Sequence, residues 1–175
     1  MSHIDRITGE LRALMAGVER AQGLAAAADR QVQEVSMRAA GSGFAAVAAG
    51  ITRVGGAVTA IQGGLGSLSG SIAEATKTTT AVPQQATPQE TISGLTPVQA
   101  AMGSARDSAS GVIKQVGEAQ QLVTMILQGG QPGPLLQALE SIKQVLVLVV
   151  QRIGTGRQHV EAAIAEARQL GSSGN

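Results

Sequence analysis

From Ile4 onward the apolar residues recur in alternating steps of three and four. Ile4, Ile7, Leu11, Leu14, Val18, Ala21, Ala25, Ala28, Val32, Val35 and Ala39 form one such series. That spacing keeps a single stripe of a helix turned toward a partner helix. Ser2 with Asp5 offers an acidic variant of the capping box at its start. The stripe breaks at Gly41-Ser42-Gly43 and restarts out of phase through Phe44, Val47, Ile51, Val54, Val58, Ile61, Leu65, Leu68 and Ile72. Two glycines and a phase jump predict a tight helix–helix turn at Gly41 and Gly43, with one long kinked helix as the alternative.

Two further tracts follow. Thr, Pro and Gln dominate residues 76–96 without any period, so this stretch reads as a linker. Thr96-Pro97 then looks like a helix start, with Thr as cap and Pro at the first helical position. Val98, Met102, Ala105, Ala109, Val112, Val116, Ala119, Val123 and Ile126 carry the third seam. Gly129, Gly130, Pro132 and Pro134 stop it, since they cannot all sit inside a helix. The fourth seam runs Leu135, Leu139, Ile142, Leu146, Val149, Ile153, Gly156, Val160, Ala163, Ala167 and Leu170, and residues 172–175 form a tail.

The expected fold is therefore all-α, with two long antiparallel helical hairpins. Residues 1–75 form one, turning near 41–43, and residues 97–171 the other, turning near 129–134. Short turns force antiparallel neighbours. The hairpins can fold on each other as an elongated four-helix bundle, or each can complete its core in a coiled-coil assembly with another chain.

Gln144–Ile153 departs from the heptad economy. Six apolar side chains run unbroken from Val145 to Val150, where a seam needs two or three in seven. A helix apolar all round is expected to be buried on every side. A strand is the competing reading, but the seam passes straight through Leu146 and Val149. An antiparallel hairpin would set this stretch beside Val112, Ile113 and Val116, with the first hairpin or a partner covering the rest. Val145, Val147, Leu148 and Val150, with Ile113 and Leu122 of the third tract, are the candidate interaction residues. Around the six-residue run, Glu140 and Lys143 lie upstream and Gln151 and Arg152 downstream. A span needs about 20 apolar residues, so no transmembrane segment is expected. The second tract has the opposite oddity: Gly63–Ser71 surrounds Leu65 and Leu68 with Gly and Ser, as a weak helix end or a smooth face for close helix approach.

Composition sharpens this picture. Phe44 is the sole aromatic, which favours long, Ala-rich helical packing over a compact globular core. The 23 glycines pull the other way, each weakening a helix by about 1 kcal/mol relative to Ala. Net charge is +1, and the balance is local, with five acids and five bases before residue 41. A nucleic-acid binder shows a basic face, so none is expected as a partner. No cysteine is present. The N-terminus mixes acids and bases without an apolar core, unlike a cleavable signal peptide, so a cytoplasmic location is expected unless export is leaderless.

Candidate chemistry is sparse. Gly41-Ser42-Gly43-Phe44 follows a helix rather than a strand and lacks a Walker-type lysine. Leu68 occupies the centre between Gly66 and Gly70, where a nucleophile elbow needs Ser. His3 lies at a terminus expected to be mobile, and His159 has no second ligand at i+4. Glu161 and Glu166 read as surface charges. No catalytic residue, metal or cofactor site is expected.

The strings "RAAGSGFAAVAAG", "PQETISGLTPVQ", "LQGGQPGPLLQALESIKQVL" and "QRIGTGRQHVEAAIAEARQLG" resemble an uncharacterised family of actinobacterial proteins, a domain of unknown function, over almost the whole chain. The layout is also similar to the WXG-type helical hairpins exported by type VII (ESX) secretion. There Gly41-Ser42-Gly43 would occupy the Trp-x-Gly turn, but this chain has neither Trp nor the Tyr of the export signal. The leading functional expectation is a non-enzymatic interaction scaffold, working as a homo- or hetero-oligomer or as an adaptor for a secretion or polymorphic-toxin system. A phasin-like coat on a granule or lipid surface, and a self-assembling filament, are the other readings.

Overall fold

The computed structural model describes residues 2–128 and 133–174. Four helices follow in order: α1 (His3–Gly41), α2 (Ala45–Thr80), α3 (Pro88–Ile126) and α4 (Gly133–Ser172). They hold 39, 36, 39 and 40 residues, hence lengths of roughly 54–60 Å at 1.5 Å per residue. Close backbone approaches join α1 to α2, α2 to α3, α3 to α4 and α4 back to α1, with none across the diagonals among the described residues. Neighbours run antiparallel, giving an up-down-up-down four-helix bundle around one core. The two hairpins thus complete each other within the chain.

The core follows the predicted seams closely. Ile7 to Val32 of α1, Ile51 to Ala75 of α2, Val98 to Val123 of α3 and Leu135 to Ala167 of α4 supply its buried positions. Phe44 departs from its seam, at 64% exposed, as does Leu170, at 61%. Each lies at an end of the bundle; Leu170 lines a cavity beside the α2–α3 connection, with Val82, Pro83 and Pro88, that leaves it uncovered.

The first turn is a Schellman motif rather than a kink. Gly43 adopts φ +78°, Phe44 N donates to Ala39 O at 3.0 Å and Gly43 N to Ala40 O at 3.3 Å. Gly41 is the last helical residue and only Gly43 needs the left-handed conformation. Of the second turn, Gly129, Gly130 and Pro132 lie outside the described residues, and Pro134 sits in the first turn of α4, where its missing N–H costs no helical bond.

Between the hairpins the structure differs from the expected 76–96 linker. Helix α2 continues to Thr80, and α3 starts at Pro88. At the Thr-rich end of α2, the hydroxyls of Thr76, Thr78, Thr79 and Thr80 donate to carbonyls four residues back. Ala75 and Thr79 carry the buried stripe onward, Thr79 fully buried. At the start of α3, Thr87-Pro88 rather than Thr96-Pro97 makes the cap. Thr87 N donates to Glu90 Oε2 at 2.7 Å while Glu90 N donates to Thr87 Oγ1 at 3.3 Å, a complete capping box. Buried Leu95 and the packed Ile92 extend the core back to this cap. The burial offsets Pro97 inside the helix, where a proline costs about 3 kcal/mol.

Glycines explain how helices without aromatics pack closely. A Cβ on Gly64 would stand 2.5 Å from Val112 Cγ2, and one on Gly50 would stand 2.7 Å from Ile126 Cγ2. Gly17 likewise receives Val149, and Gly156 receives the Met102 methyl. These glycines are holes filled by methyl groups from the adjacent helix. Their helix-weakening is offset by the contact they permit.

Candidate interaction face

The apolar run Val145–Val150 is helical, and its all-round character is resolved unevenly. Leu146, Val149 and Val145 are buried, at 0%, 3% and 9% exposure. Val150 is partly buried against the core. Val147 and Leu148 face outward, at 40% and 64% exposure. The expectation of burial on every side therefore fails at these two positions. Four helices in a ring give each helix two neighbours, and an inward stripe cannot reach round to its outer face.

Beside Leu148 a groove of about 440 Å³ runs between α1 and α4. Ala13 and Gly17 of α1, with Val145 and Val149 of α4, form its apolar part; Glu10, Arg20 and Arg152 provide its charged groups. The glycine matters locally, because a Cβ at Gly17 would come within 2.9 Å of Val149 Cγ2. Arg152 Nη1 lies 3.5 Å from Glu10 Oε2, an ion pair tying α4 to α1. That oxygen accepts no hydrogen bond, so the link is a loose electrostatic one.

Of the predicted interaction residues, Val145 and Leu148 line the groove and Val147 is exposed on the same helix. Ile113, Leu122 and Val150 pack partly buried against the core and do not line it. The α3–α4 register agrees with the antiparallel expectation, as Gln120 Nε2 donates to Glu140 at 3.0 Å and Gln99 Nε2 to Glu161 at 3.5 Å. The α1 wall escaped sequence reasoning. Heptad spacing says that α1 is buried on one stripe but not which helix closes the ring beside it.

His3 is not at a free terminus. Its Nε2 contacts Glu166 Oε2, joining the start of α1 to the end of α4. At the two capping boxes, hydrogen bonds from the Ser2 hydroxyl and backbone hold the Asp5 carboxyl below its usual range. Those from the Thr87 backbone and hydroxyl do the same for Glu90. Among the described residues, no three His, Asp or Glu side chains gather as a metal site.

The expectation of no transmembrane segment is corrected by the helices themselves. Helices α2 and α4 are each, by length and composition, long and apolar enough to cross a membrane. The expectation weighed only the run around Val145–Val150. Helix α2 carries no charge between Arg53 and Glu74. In both helices the strongly apolar residues lie mainly on the buried seam, with Val147 and Leu148 of α4 the exposed exceptions.

The family comparison bears on the second hairpin. Residues 86–172 match DUF6244, a family of unknown function. The match begins just before the Thr87 cap and ends at the last residue of α4, so the DUF6244 stretch coincides with the α3–α4 hairpin. It is narrower than the expected resemblance over almost the whole chain, and leaves "RAAGSGFAAVAAG" at the first turn outside. Neither a curated protein nor a solved structure matches the chain.

Proposed function

We propose that this protein is a non-enzymatic interaction scaffold, a rigid bundle that docks through the outer face of α4 and the adjoining α1/α4 groove. One observation carries the reading: Leu148 stands exposed on the wall of the α1/α4 groove, and Val147 is exposed next to it in sequence on α4, while Leu146 and Val149 between them and the core are buried. The polar groups at that groove are a Glu–Arg pair, Arg20, Gln151 and Thr155, with no nucleophile set beside a base. Such a surface suits recognition rather than turnover. The hairpin layout is compatible with an adaptor in a secretion or polymorphic-toxin system. The test is a tagged protein recovered gently from its native host and weighed intact by native mass spectrometry. A stoichiometric complex is expected, and Val147→Glu with Leu148→Glu should abolish it. A doubly charged variant that keeps wild-type size and partners sinks the reading at this face.

A lipid- or granule-surface role is the second reading, supported by the length and overall apolar composition of α2 and α4 and by exposed Val147 and Leu148 on α4. The hydroxyls of Thr52, Thr59, Ser67 and Ser71 on α2 donate to carbonyls of the same helix, which lowers the cost of removing them from water. Flotation with liposomes decides it: co-flotation supports a surface role, and protein left wholly in the dense fraction removes it.

A further inference from the structure

We propose that the α1/α4 groove is a two-fold contact between two copies of this chain, an inference that rests on the interaction reading of this face and names its occupant. A two-fold interface uses the same patch on both subunits, so the patch must carry both a projection and a recess. Here Leu148 projects, at 64% exposure, from the wall of the groove it would fill on the other copy. The Ala13 and Gly17 side of that groove has no bulky side chain to obstruct it.

Two of the three charged residues of the groove, Glu10 and Arg20, are arranged for the same symmetry, and Arg152 stays paired with Glu10 of its own chain. Glu10 and Arg20 both line the groove from α1. Ten residues separate them, roughly 15 Å along the helix. At 3.6 residues per turn they fall with Ala13 and Gly17 inside one sector of about 80°. A two-fold axis through the groove centre, perpendicular to the helices, carries Glu10 of each copy to the level of Arg20 on the other. Two acid–base pairs then bracket the apolar contact. Arg20 makes no salt bridge within the chain among the described residues. Glu10 has only the loose Arg152 pair through its buried Oε2, and its side chain as a whole keeps 22% exposure. An acid and a base spaced about the groove centre match a second copy in antiparallel orientation, and electrostatic complementarity of this kind fixes register.

The test uses the full chain, by sedimentation velocity and native mass spectrometry across micromolar concentrations. The wild type is expected to show a monomer–dimer equilibrium, and Leu148→Glu to be monomeric with unchanged helical circular dichroism. Glu10→Lys alone and Arg20→Glu alone set like charges against each other twice per dimer, and each should weaken self-association by roughly tenfold. Mixing these two variants restores both opposite-charge pairs, so the heterodimer should return to near wild-type affinity. A wild type monomeric throughout, an undiminished Leu148→Glu dimer, or a mixture no tighter than its components overturns the proposal. If Leu148→Glu fails to fold, the mixing experiment still decides. Should the wild type be monomeric while the native-host complex contains a different protein lost in Val147→Glu/Leu148→Glu, this inference falls and the scaffold reading stands.

Discussion

The glycine holes make a quantitative prediction at Gly64. Gly→Ala within a helix ordinarily stabilises by about 1 kcal/mol, through the lost backbone freedom of the unfolded chain. Gly66 is the control, as nothing lies within 4 Å of a Cβ built there. At Gly64 the new methyl would stand 2.5 Å from Val112 Cγ2 and 3.2 Å from Gln115 Oε1. Val112 is buried and, as a β-branched residue in a helix, is held near one rotamer, so its methyl cannot swing aside. Overpacking of this kind costs about 1–3 kcal/mol. Gly66→Ala should therefore gain about 1 kcal/mol, and Gly64→Ala should run from no net change to a loss of about 2 kcal/mol. In a chain of this size 1 kcal/mol moves Tm by about 2–4 °C, so the two variants should differ by roughly 2–12 °C. Thermal unfolding at one fixed protein concentration, followed by circular dichroism, reads the difference. Adding Val112→Ala to Gly64→Ala should relieve the clash and reduce the coupling. If Gly64→Ala is as stable as Gly66→Ala, the α2–α3 packing described above is wrong.

Two other substitutions probe the helix ends. Pro97→Ala restores an N–H inside α3 and should raise stability by as much as about 3 kcal/mol in urea unfolding; no gain would mean that α3 does not run straight through this position. Asp5→Asn and Glu90→Gln remove carboxylates whose pKa values are lowered by their capping boxes. A lowered folded-state pKa contributes stability above the unfolded value, and that contribution is lost as pH falls through the folded value. Both variants should accordingly be less stable than wild type near neutral pH, with the gap closing in acid. A gap independent of pH would exclude the charged caps as its source.

The seams were legible because a step of three and four residues admits few alternatives when sustained over a whole helix, and the buried set from Ile7 to Ala167 follows them. Boundaries were harder. Thr-Pro occurs at both 87–88 and 96–97, and local chemistry alone does not choose between them; Leu95 and Ile92 do, through a core that only tertiary packing creates. The glycines were misleading in the sequence, where they count against helices. At Gly17, Gly50, Gly64 and Gly156 they admit neighbouring methyls, a benefit visible only when the facing helix is in place. The groove was half legible. The excess of apolar residues at Val145–Val150 marked its α4 wall, whereas Glu10, Ala13, Gly17 and Arg20 carry no signal until α1 is known to lie beside α4. The membrane-length character of α2 was overlooked for a related reason: its Val, Ile, Leu and Ala residues are spaced out by Gly, Ser and Thr instead of running together, so their hydropathy shows only when summed along the helix.

Docking through the outer face of α4 is tested most directly by a photo-crosslinking amino acid placed at Leu148 in the native host, with the same probe at exposed Asp107 of α3 as control. The account predicts a discrete protein adduct from Leu148 and none from Asp107, with mass spectrometry of the adduct reading whether the captured chain is a second copy. No adduct from Leu148, or an equal yield from both positions, would contradict it.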